Sequence, residues 1–246
     1  MNNFAKKEKN NICFIGALLL FFAGAPALCV YAQGDSVNEE PRIQGIFDEA
    51  LRIDADEDST ADIFIVDDFN EPSKFNKLGL MTNVYMMPPS RAMISFENDE
   101  RDGQETIALR IKYKRAVEGG PYDKGGWCGY YTTLKKVSGA VTSYFDAGKY
   151  THITFWVRGA EGGENFVVGL SDRHWDVSGD SFKSQEVINY LPEKRITKQW
   201  QKAKVPLKDF FLDARKLASI SICFEQECFP EGNAEGYVYI DDIALE

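Results

Sequence analysis

The sequence predicts an all-β protein, an antiparallel two-sheet β-sandwich, on three observations. Apolar and polar residues alternate over many short stretches, which is the period of a half-buried strand. Clusters of Gly, Asn, Asp and Pro separate those stretches. Helical signals are confined to short pieces near 185–190 and 207–211, too few to supply the crossovers of a parallel sheet.

In chain order, residues 1–32 carry Lys6, Lys7 and Lys9 ahead of an apolar run from Ile12 to Val30 and close on Val30-Tyr31-Ala32. This pattern predicts a cleaved export signal and a secreted or periplasmic protein with no membrane association after cleavage. Gly24 and Pro26 interrupt the run and no basic flank follows it, which argues against a retained span. Residues 33–62 are acidic and read as a linker, with Ile43, Ile46, Phe47, Ala50 and Leu51 near helical spacing inside it.

A single domain is expected over 63–246. It opens on IFIVDDFN, a strand ending in paired acids, and continues through a loop over 70–83. Further strands are expected at 93–97, 106–113, 129–134, 152–158, 166–170, 201–206, 219–224 and 237–245. In TIALRIKY, Ile107, Leu109, Ile111 and Tyr113 oppose Arg110 and Lys112, so one face is buried and one is wet. The most informative stretch is 150–172, two strands joined by the glycine-rich GAEGGENF. Ile153, Phe155 and Val157 line one face of its first strand, while His152, Trp156 and Arg158 line the other, a set with little reason to sit in a dry core. No Lys-Ser or Lys-Thr pair follows the glycines, so this is a tight connection and not a phosphate loop.

The formal charge of −10 excludes nucleic acid as a natural partner, because each phosphate contact needs a cation and cations are outnumbered. Of five cysteines, Cys13 and Cys29 fall in the export segment. Cys128, Cys223 and Cys228 remain, which permits at most one internal bridge and leaves its pairing open. A zinc site has little support, since His152 and His174 are the only histidines and no CxxC pair exists.

Five stretches carry a resemblance: VDDFN, GGWCGYYTTL, ITFWVRGAEGGENFVVGLSD, ITKQWQKAKVPLKDF and YVYIDDIALE. In this order they resemble the carbohydrate-binding jelly rolls of the galactose-binding-domain-like superfamily, in particular the family 11 modules and their relatives. The resemblance runs over nearly all of 63–246. It implies a jelly-roll sandwich, a structural calcium ion and a sugar groove on one concave sheet, with a poly- or oligosaccharide as partner. The segment SDRHWDVSGDSFKSQEVINYLPEKR is longer than in the simplest members.

Sugar binding needs flat apolar surfaces for the C–H faces of a pyranose, with positioned hydrogen-bonding groups beside them. Trp127, Tyr130 and Tyr131 in GGWCGYYT, His152, Trp156 and Arg158 on the wet face of the central strand, and Asp172, Arg173, His174 and Trp175 after the next strand supply that set. Alternation puts Tyr130 and Tyr131 on opposite faces, so one of them is expected inside. For calcium, Asp67 and Asp68 of the first strand and Asp241 and Asp242 of the last are the candidates, because clustered carboxylates repel unless something positive sits among them.

A glycosidase or lyase would need two positioned carboxyls. Asp172, Asp176, Glu161 and Glu164 are available, but acids are common throughout this chain. No nucleophile-elbow pattern supports a hydrolase. The expectation is an exported, non-catalytic carbohydrate-binding protein acting alone or with a glycan-active enzyme in trans. The competing readings are a protein-interaction or adhesion sandwich and, behind it, a jelly-roll glycosidase or polysaccharide lyase.

Overall fold

A computed structural model describes residues 62–120, 125–230, 232 and 234–246. The export segment and nearly all of the acidic stretch lie outside the described residues. Sheet I has the order β11 (Gln201–Pro206), β8 (His152–Gly159), β13 (Ala234–Leu245), β4 (Gln104–Arg115) and β3 (Arg91–Arg101), and β1 (Phe64–Asp67) pairs with the end of β13. Sheet II has the order β10 (Phe182–Glu186), β9 (Val167–Asp172), β12 (Leu217–Phe224), β5 (Cys128–Thr133) and β2 (Thr82–Met86). Neighbouring strands are antiparallel in both, as the alternation and turn chemistry predict.

The core lies between the sheets and is filled by the inward rows of each. Leu109 and Ile111 of β4, Ile153, Phe155 and Val157 of β8, and Val238 and Ile240 of β13 come from sheet I. Val168 and Leu170 of β9, Ile220, Ile222 and Phe224 of β12, and Tyr130 of β5 come from sheet II. Phe155, Phe166 and Phe224 form a chain of ring contacts that joins the two layers, and Tyr113 stacks on Phe224 at 4.0 Å between centroids. Each of these inward rows has period two in the sequence, and keeping the large apolar row on the core side fixes the register.

Several elements differ from expectation. β3 and β4 extend beyond their apolar alternation to meet at a two-residue turn, Asp102-Gly103, since an antiparallel ladder continues wherever its backbone can pair. The 70–83 loop ends in β2. Residues 182–186 form β10 at the edge of sheet II, with a 3-10 turn at Val187–Tyr190 following it. A short helix, α1 (Arg173–Ser178), and an exposed hairpin, β6 (Lys136–Ser138) with β7 (Val141–Ser143), were not legible from periodicity because neither buries an apolar row. Cys128, Cys223 and Cys228 are buried free thiols. Burial lifts Cys128 to about 11 and Cys228 to about 12. Among the described residues no helix is long and apolar enough to cross a membrane.

Candidate functional site

The two sheets present very different outer faces. On sheet I, register sets Arg158 beside Tyr239, Tyr239 beside Arg110, and Trp156 beside Asp241. The Arg158 guanidinium lies 3.6 Å from the Tyr239 ring centroid and 5.4 Å from that of Trp200, and its Nε donates to Asp99 at 2.7 Å. Arg110 covers Tyr237 at 4.1 Å and pairs with Glu97. Arg101 covers Trp156 at 5.0 Å and bridges Asp241 and Asp242. Ring faces and charges on this sheet are thus engaged with one another.

The outer face of sheet II is built the other way. Gly129 of β5, Gly169 and Ser171 of β9, and Ser221 and Cys223 of β12 alternate with the buried core rows and carry almost no bulk. A floor of small residues between taller neighbours is a trough. Two tyrosines stand on it from adjacent strands. Tyr131 of β5 is opposite Asn83 and Tyr85 of β2 is opposite Gly129, so the rings sit on a diagonal that their length can span. Tyr85 lies directly over Gly129, where an added Cβ would come within 2.7 Å of its hydroxyl oxygen. Burial pushes the Tyr85 phenol well above its ordinary range, with Cys223 beneath it adding to the effect.

A cavity opens at each end of this trough. One, of about 370 Å³, is lined by Tyr131, Ser219, Met81, Val137, Lys135 and Asp176. The other, of about 390 Å³, is lined by Val167, Lys183, Gln185, Glu186, Asn189 and Glu225. In the second, Lys183 Nζ donates to Ser181 Oγ at 2.8 Å and Asp180 Oδ1 at 3.1 Å and pairs with Glu225 at 3.4 Å. Burial raises Glu225 above the ordinary carboxylate value even though Lys183 is beside it. Both ends therefore offer fixed donors and acceptors next to an open volume, as polyol recognition requires.

The structure divides the ten residues singled out for sugar contact. Tyr131 stands in the trough. Trp127, half-exposed, continues the alternation of Gly129 and Tyr131 just before β5. Arg173, His174 and Trp175 belong to α1, whose Asp176 lines the first cavity. Trp175 packs edge-on against Phe182 and His174. His152, Trp156 and Arg158 lie on sheet I, the opposite face, because sequence alternation cannot say which strands share a sheet. Tyr130 is 1% exposed and belongs to the core, the expected fate of one of the GYYT pair. Asp172 is buried as the cap of α1, with Oδ1 accepting from His174 N and Trp175 N and Oδ2 from Asp213 N. Burial works to raise its carboxyl, but these backbone donors outweigh it and hold it below the usual range. Tyr85 was missed, although the alternation of TNVYM sets it on one face with Asn83.

The four acids proposed for calcium only half converge. β1 and β13 do lie side by side, with Asp67 opposite Ile243. Asp67 and Asp241 are buried, and burial foremost lifts both carboxyls to about 6. Asp68, however, turns out to Lys77 at 3.0 Å, and Asp242 to Arg101. Asp241 Oδ2 takes Arg101 and the Thr106 hydroxyl, and its Oδ1 takes the Asp242 N–H. Arg101 thus brings a positive charge to the place assigned to the ion. No group of three or more His, Cys, Asp or Glu able to hold a metal occurs among the described residues.

No curated protein matches the chain. Among solved structures it is similar to a family 11 carbohydrate-binding module from Clostridium thermocellum in complex with a β-1,3-1,4-mixed-linked tetrasaccharide. The two share 14% identity over 76% of this chain and 96% of that one, with a TM-score of 0.53, a likeness of fold. A family 30 module of a cellulosomal cellulase from the same organism shares 22% identity over 62% of this chain and 82% of that one, with a TM-score of 0.42. Residues 73–246 match the sequence family described as Carbohydrate binding domain 30. The match takes in every strand of the sandwich but β1, both cavities and both tyrosines. The chain belongs to the Carbohydrate binding domain 30 family and is a non-catalytic carbohydrate-binding module on a jelly-roll sandwich.

Proposed function

We propose that the module holds a poly- or oligosaccharide along the trough of sheet II, with pyranose faces on Tyr131 and Tyr85 and hydroxyls hydrogen-bonded to the polar groups of the two end cavities. The observation that carries this reading is the floor of Gly129, Gly169, Ser171 and Ser221 between two lined cavities, set against a sheet I face whose rings and charges are already engaged. Calorimetric titration against mixed-linkage β-glucan, the class of ligand bound by the family 11 module of like fold, followed by xylans and mannans, tests it. Tyr131→Ala is expected to weaken binding by about tenfold or more, and Trp156→Ala to leave it nearly unchanged. The reverse pattern would move the site to sheet I. A cooperatively folded protein that gives no heat with any glycan would overturn the reading and favour a protein partner.

Two further parts of the proposal rest on the sequence pattern. The chain is exported by residues 1–32 and acts alone or beside a glycan-active enzyme in trans, which N-terminal sequencing of the secreted product and co-purification check. Calcium is narrowed to Asp67 and Asp241, the two buried carboxyl groups of the adjacent first and last strands. A melting temperature that does not respond to chelator would overturn calcium and leave Arg101 as the counter-charge of Asp241.

A further inference from the structure

The β6–β7 hairpin is exposed along both strands, and a two-stranded hairpin is marginal by itself. Its feet are fastened where it leaves the sandwich. Leu134 N and Lys135 N donate to Ala218 O, and Phe145 exchanges backbone hydrogen bonds with Leu217. A third fastening comes from α1. The Asp176 carboxylate takes Lys135 Nζ on one oxygen and Tyr144 Oη, at 3.2 Å, on the other, so one acid ties the residues that flank both ends of the hairpin. The pair is shielded, with the Lys135 and Asp176 side chains 30% and 19% exposed.

The fastening and the first cavity are the same place. Lys135, Asp176 and the hairpin's Val137 line it with Tyr131, and Met81 faces them. Val137 and Met81 are 62% and 52% exposed, apolar surface left in water beside a neutral ion pair. That combination matches a neutral pyranose: a C–H face for the apolar side chains, and hydroxyls for an ammonium with spare donors and a carboxylate with spare lone pairs. A uronate would instead bring a third charge to a balanced pair.

We propose that α1 and the β6–β7 hairpin form the wall of an additional subsite for an uncharged sugar unit next to Tyr131, and that Asp176 is its positioning residue, holding the hairpin in place and aiming Lys135. The proposal rests on the trough being the binding face. It predicts a dependence on ligand length: a saccharide long enough to reach beyond Tyr131 gains affinity from this wall, and a shorter one does not.

The test is calorimetry with a series of neutral gluco-oligosaccharides from two to six units, on the wild-type chain and on Asp176→Asn, Asp176→Glu, Val137→Ser and Tyr131→Ala, with thermal melts of each. Asp176→Asn and Val137→Ser are expected to weaken binding of the longest members by about tenfold and leave the shortest unchanged. Asp176→Glu should restore part of the loss, and Tyr131→Ala should weaken every length. Val137 supports no fold contact that its exposure would make costly to lose, so its variant stands if Asp176→Asn melts early. Equal weakening at all lengths, or none, overturns the subsite alone. A wild-type chain that binds no member, and no xylan or mannan either, overturns the trough reading and the subsite with it; one that binds only xylan or mannan takes the same length series in that sugar.

Discussion

Asn76 is 5% exposed, and each of its side-chain groups is used. Its Nδ2 donates to Thr132 Oγ1 and Thr133 O at 2.8 Å each, while its Oδ1 accepts from Leu78 N and Leu80 N at 3.0 Å. One amide thereby straps the loop before β2 to β5 and sets Leu80 and Met81 at the cavity beside Tyr131. Asn76→Ala leaves two backbone donors and Thr132 without this partner, and we expect a loss of about 2–4 kcal/mol in denaturant unfolding, with weaker binding of long ligands. A change below about 1 kcal/mol would mean that water replaces the amide. The sequence announced this residue only as part of a polar loop. Tyr131 was singled out from GGWCGYYT and Tyr85 was not, and their meeting on a diagonal depends on β2 pairing with β5, a long-range register that no local pattern encodes. Trp156 and Arg158 were legible as a polar and aromatic row, but not their partners Arg101, Asp99 and Tyr239, which lie far away in sequence.

The glycine-rich connection between β8 and β9 shows how an element is built around one side chain. Glu164 is 7% exposed and turns back under its own loop, where Oε1 accepts from Ala160 N and Glu161 N at 2.8 Å and Oε2 from Gly162 N at 2.9 Å. Gly159 makes room for it, since a Cβ there would fall 1.9 Å from Oε2. The carboxylate therefore organises the loop as a nest of N–H groups, and it is structural where a catalytic acid had been a competing reading. Glu164→Gln keeps the shape but turns one acceptor into a donor facing N–H groups. We expect it to lower the melting temperature by several degrees, equivalent to about 2–3 kcal/mol, with glycan affinity unaltered. Reduced affinity at unchanged stability would instead implicate the loop in binding. The strands on either side were legible because each has one buried face. The hairpin and α1 were not, since exposed elements leave no periodic signature.

At the scale of the molecule, acid titration couples the first strand to the last. Asp67 and Asp241 sit at about 6 in the fold against an ordinary value of 3.8. The native state therefore holds protons between pH 3.8 and about 6 that the unfolded chain has released. These two groups favour the fold below that window and oppose it above, together by on the order of a few kcal/mol at neutral pH. In chelated buffer, Asp67→Asn should raise the melting temperature at pH 7 and change it little at pH 4. A lower value at pH 7 would show that the charged carboxylate is needed there. The antiparallel sandwich itself was legible from the strands expected in 63–246, because short one-sided strands without crossover helices bury their apolar rows against another sheet. Residues 1–32 and the acidic stretch behind them are testable by secretion and sequencing alone. The contrast between the two outer faces also governs what a coated polymer looks like from outside. A module held on a polymer through sheet II, as proposed, would turn toward solvent a face on which Arg158, Arg110 and Arg101 are already paired with Asp99, Glu97, Asp241 and Asp242.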